Sequence, residues 1–212
     1  TPLYSSAASD VYKRQIDAVE NTLIAAVIHR GSEPAGMSLP ERMQHYQVPG
    51  VSIAVINNGE IDWAKGYGVI EAGGTRPVTP DTVFQACSIS KPVSVTGIML
   101  LAQSGEIDIS KNVNDYLTSW RLADNSFTTK EKAMIQRLMS HTGGTNVPGF
   151  LGYPEGSAVP TLLQVLNGEA PANTDPVQVV YVPGSRSSYS GGGMAVLQQM
   201  ICLLYTSPSP RD

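Results

Sequence analysis

The sequence predicts a mixed α/β fold, in which a β-hairpin and a long apolar helix are followed by a helical, loop-rich region. A β-branched run at residues 51–56 and a second run at 60–69 flank the turn residues Asn57-Asn58-Gly59, a pattern typical of a hairpin. Apolar residues recur at helical spacing after Ser88. From Glu106 onward, short helical patterns alternate with loops.

Two helices are predicted before the hairpin. The first covers residues 16–30 and ends where the glycines of residues 31–36 break the pattern; its apolar residues at helical spacing are Ile16, Val19, Leu23, Ala26 and Val27. Residues 40–46 are predicted to form a second, short helix, because Pro40 is tolerated in a first turn.

The helix after Ser88 has the clearest limits. Pro92 has no backbone N–H, so the first turn is expected at residues 88–92. Gly105 stands where a glycine commonly follows a helix. A buried stripe is predicted at spacing i, i+3, i+4 and i+7, formed by Val95, Ile98, Met99 and Ala102. Beyond it, short helices are predicted at residues 113–117, 133–140, 161–166 and 193–201, the third with Thr161 as its N-cap and Gly168 past its end.

The composition excludes several classes of function. The formal net charge is −4 and no basic run occurs, which argues against a nucleic-acid partner. Two cysteines give neither a disulfide framework nor a zinc pattern. The apolar runs are far shorter than the ~18 residues that a spanning helix needs, so no membrane span is expected.

Both ends of the chain are expected to be translated sequencing adapter rather than native protein. Residues 10–15 back-translate to GAT GTG TAT AAG AGA CAG, and residues 202–207 back-translate to the reverse complement in a shifted frame. Residues 1–15 and 202–212 are therefore left out of fold reasoning. The alternative is a pair of disordered native tails. On the adapter interpretation, residues 16–201 are an internal fragment of a longer protein.

Ser88-Ile89-Ser90-Lys91 is the candidate catalytic motif, with a possible nucleophile and its base. A serine at the start of a helix lies among outward-pointing N–H groups, where negative charge is favoured. Lys91 lies one turn further on the same face and can accept the serine proton or hold a partner base. The alternatives are an ordinary N-cap serine and a solvated surface lysine.

Three motifs in order carry a resemblance to a known family: Ser88-x-x-Lys91, Ser140-His141-Thr142-Gly143-Gly144, and Tyr189-Ser190-Gly191. The run from Val48 to Val55 adds to it. The chain resembles the serine β-lactamase and penicillin-binding-protein superfamily, in its class C β-lactamase-like branch.

The resemblance implies an α/β lobe beside an all-helical lobe. Residues 16–104 correspond to the N-terminal part of the α/β lobe with the nucleophile helix, and residues 105–201 to the helical lobe with the tyrosine motif. The family completes its sheet with C-terminal strands. We therefore expect a truncated class C β-lactamase-like fold, lacking those strands and the family's third motif, Lys/His-Thr/Ser-Gly.

The resemblance also assigns roles within the site. Ser88 would be the nucleophile, Lys91 its base, and Tyr189 the proton shuttle of a Tyr-x-Asn motif, against the alternative of a core tyrosine. Gly191 stands where that motif has asparagine, so a side-chain amide contact to the substrate is missing. His141 is interpreted as a structural residue of the site wall.

The implied parent protein is a serine hydrolase that forms an acyl-enzyme on Ser88. Its substrate would be a β-lactam, a D-amino-acid peptide or a small ester, with no cofactor. The alternative is a sensor or binding module of the penicillin-binding type without turnover. The resemblance implies a periplasmic or secreted protein, whose signal peptide is not within this stretch. The 212-residue chain itself is expected to be inactive and poorly soluble.

Overall fold

The computed structural model describes residues 6–24, 27–32 and 36–205. The chain divides into two compact units, one up to Gln85 and one from Ala86 onward. Each unit buries its own apolar residues. In the first unit these are Leu39, Trp63 and Val78.

The first unit begins with two helices, α1 (Ser6–Asn21) and α2 (Leu39–His45). A capping box starts α2, in which the Ser38 hydroxyl accepts from the backbone of Glu41 and the Glu41 carboxylate accepts from the backbone of Ser38. The prediction of a short helix with proline in its first turn is thus confirmed.

The prediction of a helix over residues 16–30 is wrong beyond Asn21. Leu23 instead pairs with Met37 in an antiparallel bridge, with N–O distances of 3.0 and 2.8 Å. This tertiary pairing supplies hydrogen bonds to backbone groups that a longer helix would have paired within itself, so it overrides the apolar pattern. Residues 25–26 of the predicted helix, and residues 1–5 and 206–212 of the predicted tails, lie outside the described residues.

The predicted hairpin is confirmed as strands β1 (Gly50–Asn57) and β2 (Glu60–Gly68). Asn58 and Gly59 both have positive φ, 50° and 82°, which is the geometry of a two-residue hairpin turn. A bulge lies between Val55 and Ile56. Within the described part of the chain the sheet consists of these two strands.

The second unit opens with a 3-10 turn, Cys87–Ile89, that leads into α3 (Ser90–Gln103). The helix ends before Gly105, as predicted, and Gly105 has φ 81°. The predicted buried stripe is only partly buried. Ile98 is 3% exposed, but Met99 is 45% exposed. The apolar residues of α3 are distributed around most of its circumference, and only one side of the helix packs on the core.

Short elements follow at the four predicted positions, together with a 3-10 turn near residue 127 that was not predicted. They are 3-10 turns at Val113–Asp115 and Ser126–Thr128, and helices α4 (Ile135–Met139), α5 (Leu162–Asn167) and α6 (Gly191–Tyr205). Thr161 caps α5, and Gly168 follows it with φ 65°. The predicted helix at 113–117 is a single 3-10 turn, α4 is shorter than predicted, and α6 is longer at both ends.

The core of the second unit centres on α6, which packs against α4 and α5. Val196, Leu197 and Met200 of α6 are at most 1% exposed, as are Ile135 and Leu138 of α4. Helix α6 therefore has a fixed position, and the residues just before it are held in place. None of the helices in the described residues is long and apolar enough to cross a membrane.

Candidate active site

The structure places Ser88 in the 3-10 turn immediately before α3, rather than inside the α-helix. The turn is closed by a hydrogen bond from the Ile89 N–H to the Ala86 carbonyl, with an N–O distance of 2.9 Å. Cys87, the residue before Ser88, has φ 45°, an uncommon conformation for a residue with a side chain. The serine side chain is thus exposed at the mouth of the helix, as the sequence predicts.

The three predicted catalytic side chains come together. The Tyr189 hydroxyl donates to Ser88 Oγ with an O–O distance of 2.7 Å. Lys91 Nζ donates to the same oxygen at 3.1 Å and lies 4.9 Å from the centre of the Tyr189 ring. Ser88 Oγ is therefore the meeting point of a phenol and an ammonium group.

The surroundings of Tyr189 favour its ionised form. Hydrogen bonding to Lys91 is the main cause, with a further contribution from Ser88, and together they lower the pKa of Tyr189 below its ordinary value of 10.0. A phenolate held by an ammonium can accept the Ser88 proton. Lys91 contacts both Ser88 Oγ and the Tyr189 ring, which is the position that both of its predicted roles require.

We expect this ionisation to be measurable without turnover. The phenolate of Tyr189 should form below pH 10 because Lys91⁺ stabilises it, and Lys91→Met should move the transition to higher pH. The measurement is a pH titration of near-ultraviolet absorbance, taken as the difference between each protein and its Tyr189→Phe partner. Lys91→Arg is the control, since it retains the positive charge. An unchanged transition in Lys91→Met would contradict the coupling.

His141 packs against the tyrosine and holds its neighbours. Its ring centre lies 4.4 Å from that of Tyr189. Its Nδ1 accepts from the Ser190 N–H at 3.2 Å, and its carbonyl accepts from the Ser188 N–H at 2.8 Å. Burial, and then the charge of Lys91, lower the pKa of His141, which keeps the imidazole neutral and able to accept. These contacts fit the predicted structural role.

Ser190 is a functional position that sequence reasoning missed. It is 2% exposed, and its hydroxyl accepts from the Gly193 N–H at 2.8 Å, which caps the start of α6. The same hydroxyl accepts from Thr145 and donates to the Asn146 carbonyl at 2.6 Å. Because Tyr189 directly precedes this cap, Ser190 fixes the point from which the tyrosine reaches Ser88. Its place just before an apolar helical run was the available signal.

A cavity of about 940 Å³ opens beside the three side chains. Its walls come from α3, from α6 and from residues 148–150, and are mainly apolar. The apolar side chains among its lining residues include Ile98, Leu101, Phe150, Met194, Leu197 and Ile201. A volume of this size is that of a small-molecule site.

Comparison with known proteins agrees with this geometry. Residues 38–203 match the sequence profile of the protein family described as Beta-lactamase. The chain belongs to the β-lactamase family. Its relatives include penicillin-binding protein 4 of Amycolatopsis lactamdurans, 29% identical over 163 residues, covering 77% of this chain and 40% of the relative. Esterase EstB of Burkholderia gladioli is 28% identical, covering 53% of this chain and 27% of the esterase.

The fold of this β-lactamase family member is that of class C β-lactamases. A solved class C β-lactamase superimposes with a TM-score of 0.58 at 20% identity, covering 96% of this chain and 48% of that enzyme. The chain therefore spans less than half the length of these proteins. The predicted superfamily and fold class are confirmed.

Proposed function

We propose that the full-length protein is a serine hydrolase that acts on ester or amide bonds through an acyl-enzyme on Ser88. The convergence of Tyr189 and Lys91 on Ser88 Oγ, at 2.7 and 3.1 Å, carries the proposal. Membership of the β-lactamase family, with a penicillin-binding protein and an esterase among the relatives, supports it.

In acylation Tyr189 acts as the phenolate, which accepts from Ser88 Oγ instead of donating to it as the phenol does. Ser88 Oγ attacks the carbonyl carbon of the substrate while its proton passes to the phenolate of Tyr189. The carbonyl oxygen becomes an oxyanion, for which the backbone N–H of Ser88 is one donor. The intermediate then collapses, the bond to the alcohol or amine breaks, and Tyr189 returns the proton to the leaving group. Lys91 keeps its proton and balances the charge of the phenolate.

Deacylation uses the same proton path, with water as the nucleophile in place of Ser88. Water attacks the acyl carbonyl and gives a proton to Tyr189, the bond to Ser88 Oγ breaks, and Ser88 recovers the proton. The product is a carboxylic acid. The same phenol thus acts first as base and then as acid in each half of the cycle, which suits a group whose pKa is lowered from its ordinary value.

The test is covalent labelling of the full-length protein with a fluorophosphonate. We expect one adduct per molecule, on the peptide that contains Ser88, because this is the serine that Tyr189 and Lys91 contact. Ser88→Ala should abolish labelling. Ser90→Ala is the matched control and should label normally, since the Ser90 side chain is outside this set of contacts. An adduct on Ser90 or Ser190 would refute the assignment.

A further inference from the structure

Three contacts join His141 to Tyr189 and to the residues on either side of it. The Nδ1 atom of His141 accepts from the Ser190 N–H at 3.2 Å, and its carbonyl accepts from the Ser188 N–H at 2.8 Å. Between these two hydrogen bonds, the centre of the imidazole ring lies 4.4 Å from the centre of the Tyr189 ring. The imidazole is therefore placed to support the tyrosine directly and through both of its neighbours.

The position of Tyr189 depends on such support. Tyr189 is 49% exposed, so burial alone does not determine the direction of its side chain. Its hydroxyl must lie within hydrogen-bonding distance of Ser88 Oγ, where it is found at 2.7 Å. A displacement of about 1 Å between reacting groups can cost ~10²-fold in rate. Packing against His141 therefore contributes to the reaction through the position of the phenol.

The hydrogen bond from Ser190 requires a neutral imidazole, because only that form has a lone pair on Nδ1. In the imidazolium both ring nitrogens carry protons, and two N–H donors would face each other at 3.2 Å. Ser190 is also held by its hydroxyl, which bonds to Thr145 and to the Asn146 carbonyl. The charged ring would therefore turn away from Ser190, and Tyr189 would lose its packing partner.

The charges around His141 favour the neutral form. Burial, and then the positive charge of Lys91 from α3, lower the pKa of His141 below its ordinary value of 6.5. Arg137, in the helix α4 that precedes His141, is directed to the carboxylate of Glu131 at 2.8 Å. An imidazolium would also favour the phenolate of Tyr189, but water and salt screen this opposite effect because the tyrosine is half-exposed.

We infer that His141 is a positioning residue for Tyr189, which acts only as the neutral imidazole and thereby sets an acid limit on the acylation of Ser88. The inference rests on the proposed function, in which the phenolate of Tyr189 accepts the Ser88 proton. Acylation then declines at acid pH for two separate reasons. Tyr189 takes up a proton and becomes a poor acceptor, and His141 takes up a proton and releases Tyr189.

The test is the rate of fluorophosphonate labelling of Ser88 in the full-length protein, measured from about pH 9 to about pH 4.5. Protonation of Tyr189 alone lowers the rate by at most about tenfold per pH unit, and protonation of His141 adds up to about tenfold more per unit. We therefore expect a fall steeper than about tenfold per unit below pH 6.5. A fall that never exceeds that slope would overturn the inference.

His141→Asn separates the two protonations. Asparagine tolerates the φ of 57° at this position, and its Oδ1 can accept from Ser190 at every pH. We expect this variant to keep only the shallower fall, that of Tyr189. His45→Asn is the matched control, since His45 is an exposed histidine of α2, and it should keep the steep fall. A steep fall retained in His141→Asn would assign it to another group and contradict the inference.

Two further outcomes are distinguishable. An acid fall that coincides with loss of the far-ultraviolet circular dichroism signal is unfolding, and it would also overturn the role of His141. Failure of Ser88 to label at any pH would remove the proposed function itself. Labelling of Ser88 with the same pH profile in the unmodified protein and in His141→Asn would leave the hydrolase in place and remove only the positioning role.

Discussion

Lys91→Ala and Tyr189→Phe are each expected to slow acylation of Ser88 by about 10²-fold or more in the full-length protein, since a positioned general base contributes ~10²–10⁴-fold. The two changes act on one proton path. Tyr189→Phe removes the proton acceptor 2.7 Å from Ser88 Oγ, and Lys91→Ala removes the hydrogen-bonding ammonium group that is the main cause of the lowered pKa of that acceptor.

The double variant should therefore lose little more than the worse single variant. The measurement is the rate of covalent labelling of Ser88 under single-turnover conditions. Matched controls are Lys130→Ala and Tyr46→Phe, which change exposed residues outside the site and should label at the normal rate. If the losses of the two single variants multiply in the double variant, Lys91 and Tyr189 act independently and the shared path is wrong.

The parts of the fold that the sequence predicts well are those that local chemistry decides. The hairpin follows from Asn58-Gly59, whose positive φ values suit few other pairs. The start of α3 follows from Pro92, and the limits of α5 follow from Thr161 and Gly168. In each case the residues that determine the structure lie within a few positions of it, so one sequence is sufficient.

Prediction fails where contacts with a distant segment determine the local structure. The helix expected to continue to residue 30 ends at Asn21 because Leu23 pairs with Met37, and an apolar pattern contains no information about that partner. Burial of Met99 was predicted from its spacing, yet α3 packs on the core through Ile98, Leu101 and Ala102 and leaves Met99 exposed. A helix that is apolar around most of its circumference does not specify which side faces the core.

The same distinction applies to the site. Ser88 and Lys91 are one turn apart, and spacing alone places them together. Tyr189 is 101 positions from Ser88, and only the family resemblance connected it. The roles of His141 and Ser190 depend on contacts between residues 188–190 and the segment at 141–146, which single residues do not reveal.

A large loss of stability is expected from Gly144→Ala. Gly144 has φ 78°, and an added Cβ would lie 2.2 Å from the backbone oxygen of Tyr181. The Gly144 carbonyl also accepts from the N–H groups of Val180 and Tyr181, at 2.8 and 3.2 Å. The two chain segments therefore cannot move apart without breaking these hydrogen bonds. Strain in the left-handed region and overpacking together should cost about 3 kcal/mol or more.

Two neighbouring glycines give a graded comparison. Gly143→Ala would bring the new methyl 2.6 Å from Leu138 Cδ2, the end of a side chain that can rotate, so its cost should be smaller. Gly149→Ala meets nothing within 4 Å and should change the free energy of unfolding by no more than about 0.5 kcal/mol. The measurement is urea unfolding of the full-length protein, followed by far-ultraviolet circular dichroism.

The order of the three variants tests the packing on which the site depends. The Thr145 hydroxyl and the Asn146 carbonyl both form hydrogen bonds with the Ser190 hydroxyl, so residues 144–146 hold Ser190 in place. Loss of the Gly144 contact should therefore weaken the cap of α6 and release Tyr189, so that Ser88 labelling falls together with stability. If Gly144→Ala unfolds at the same urea concentration as Gly149→Ala, the close approach of Gly144 to Tyr181 is absent in solution, and the support of Tyr189 by this segment fails with it.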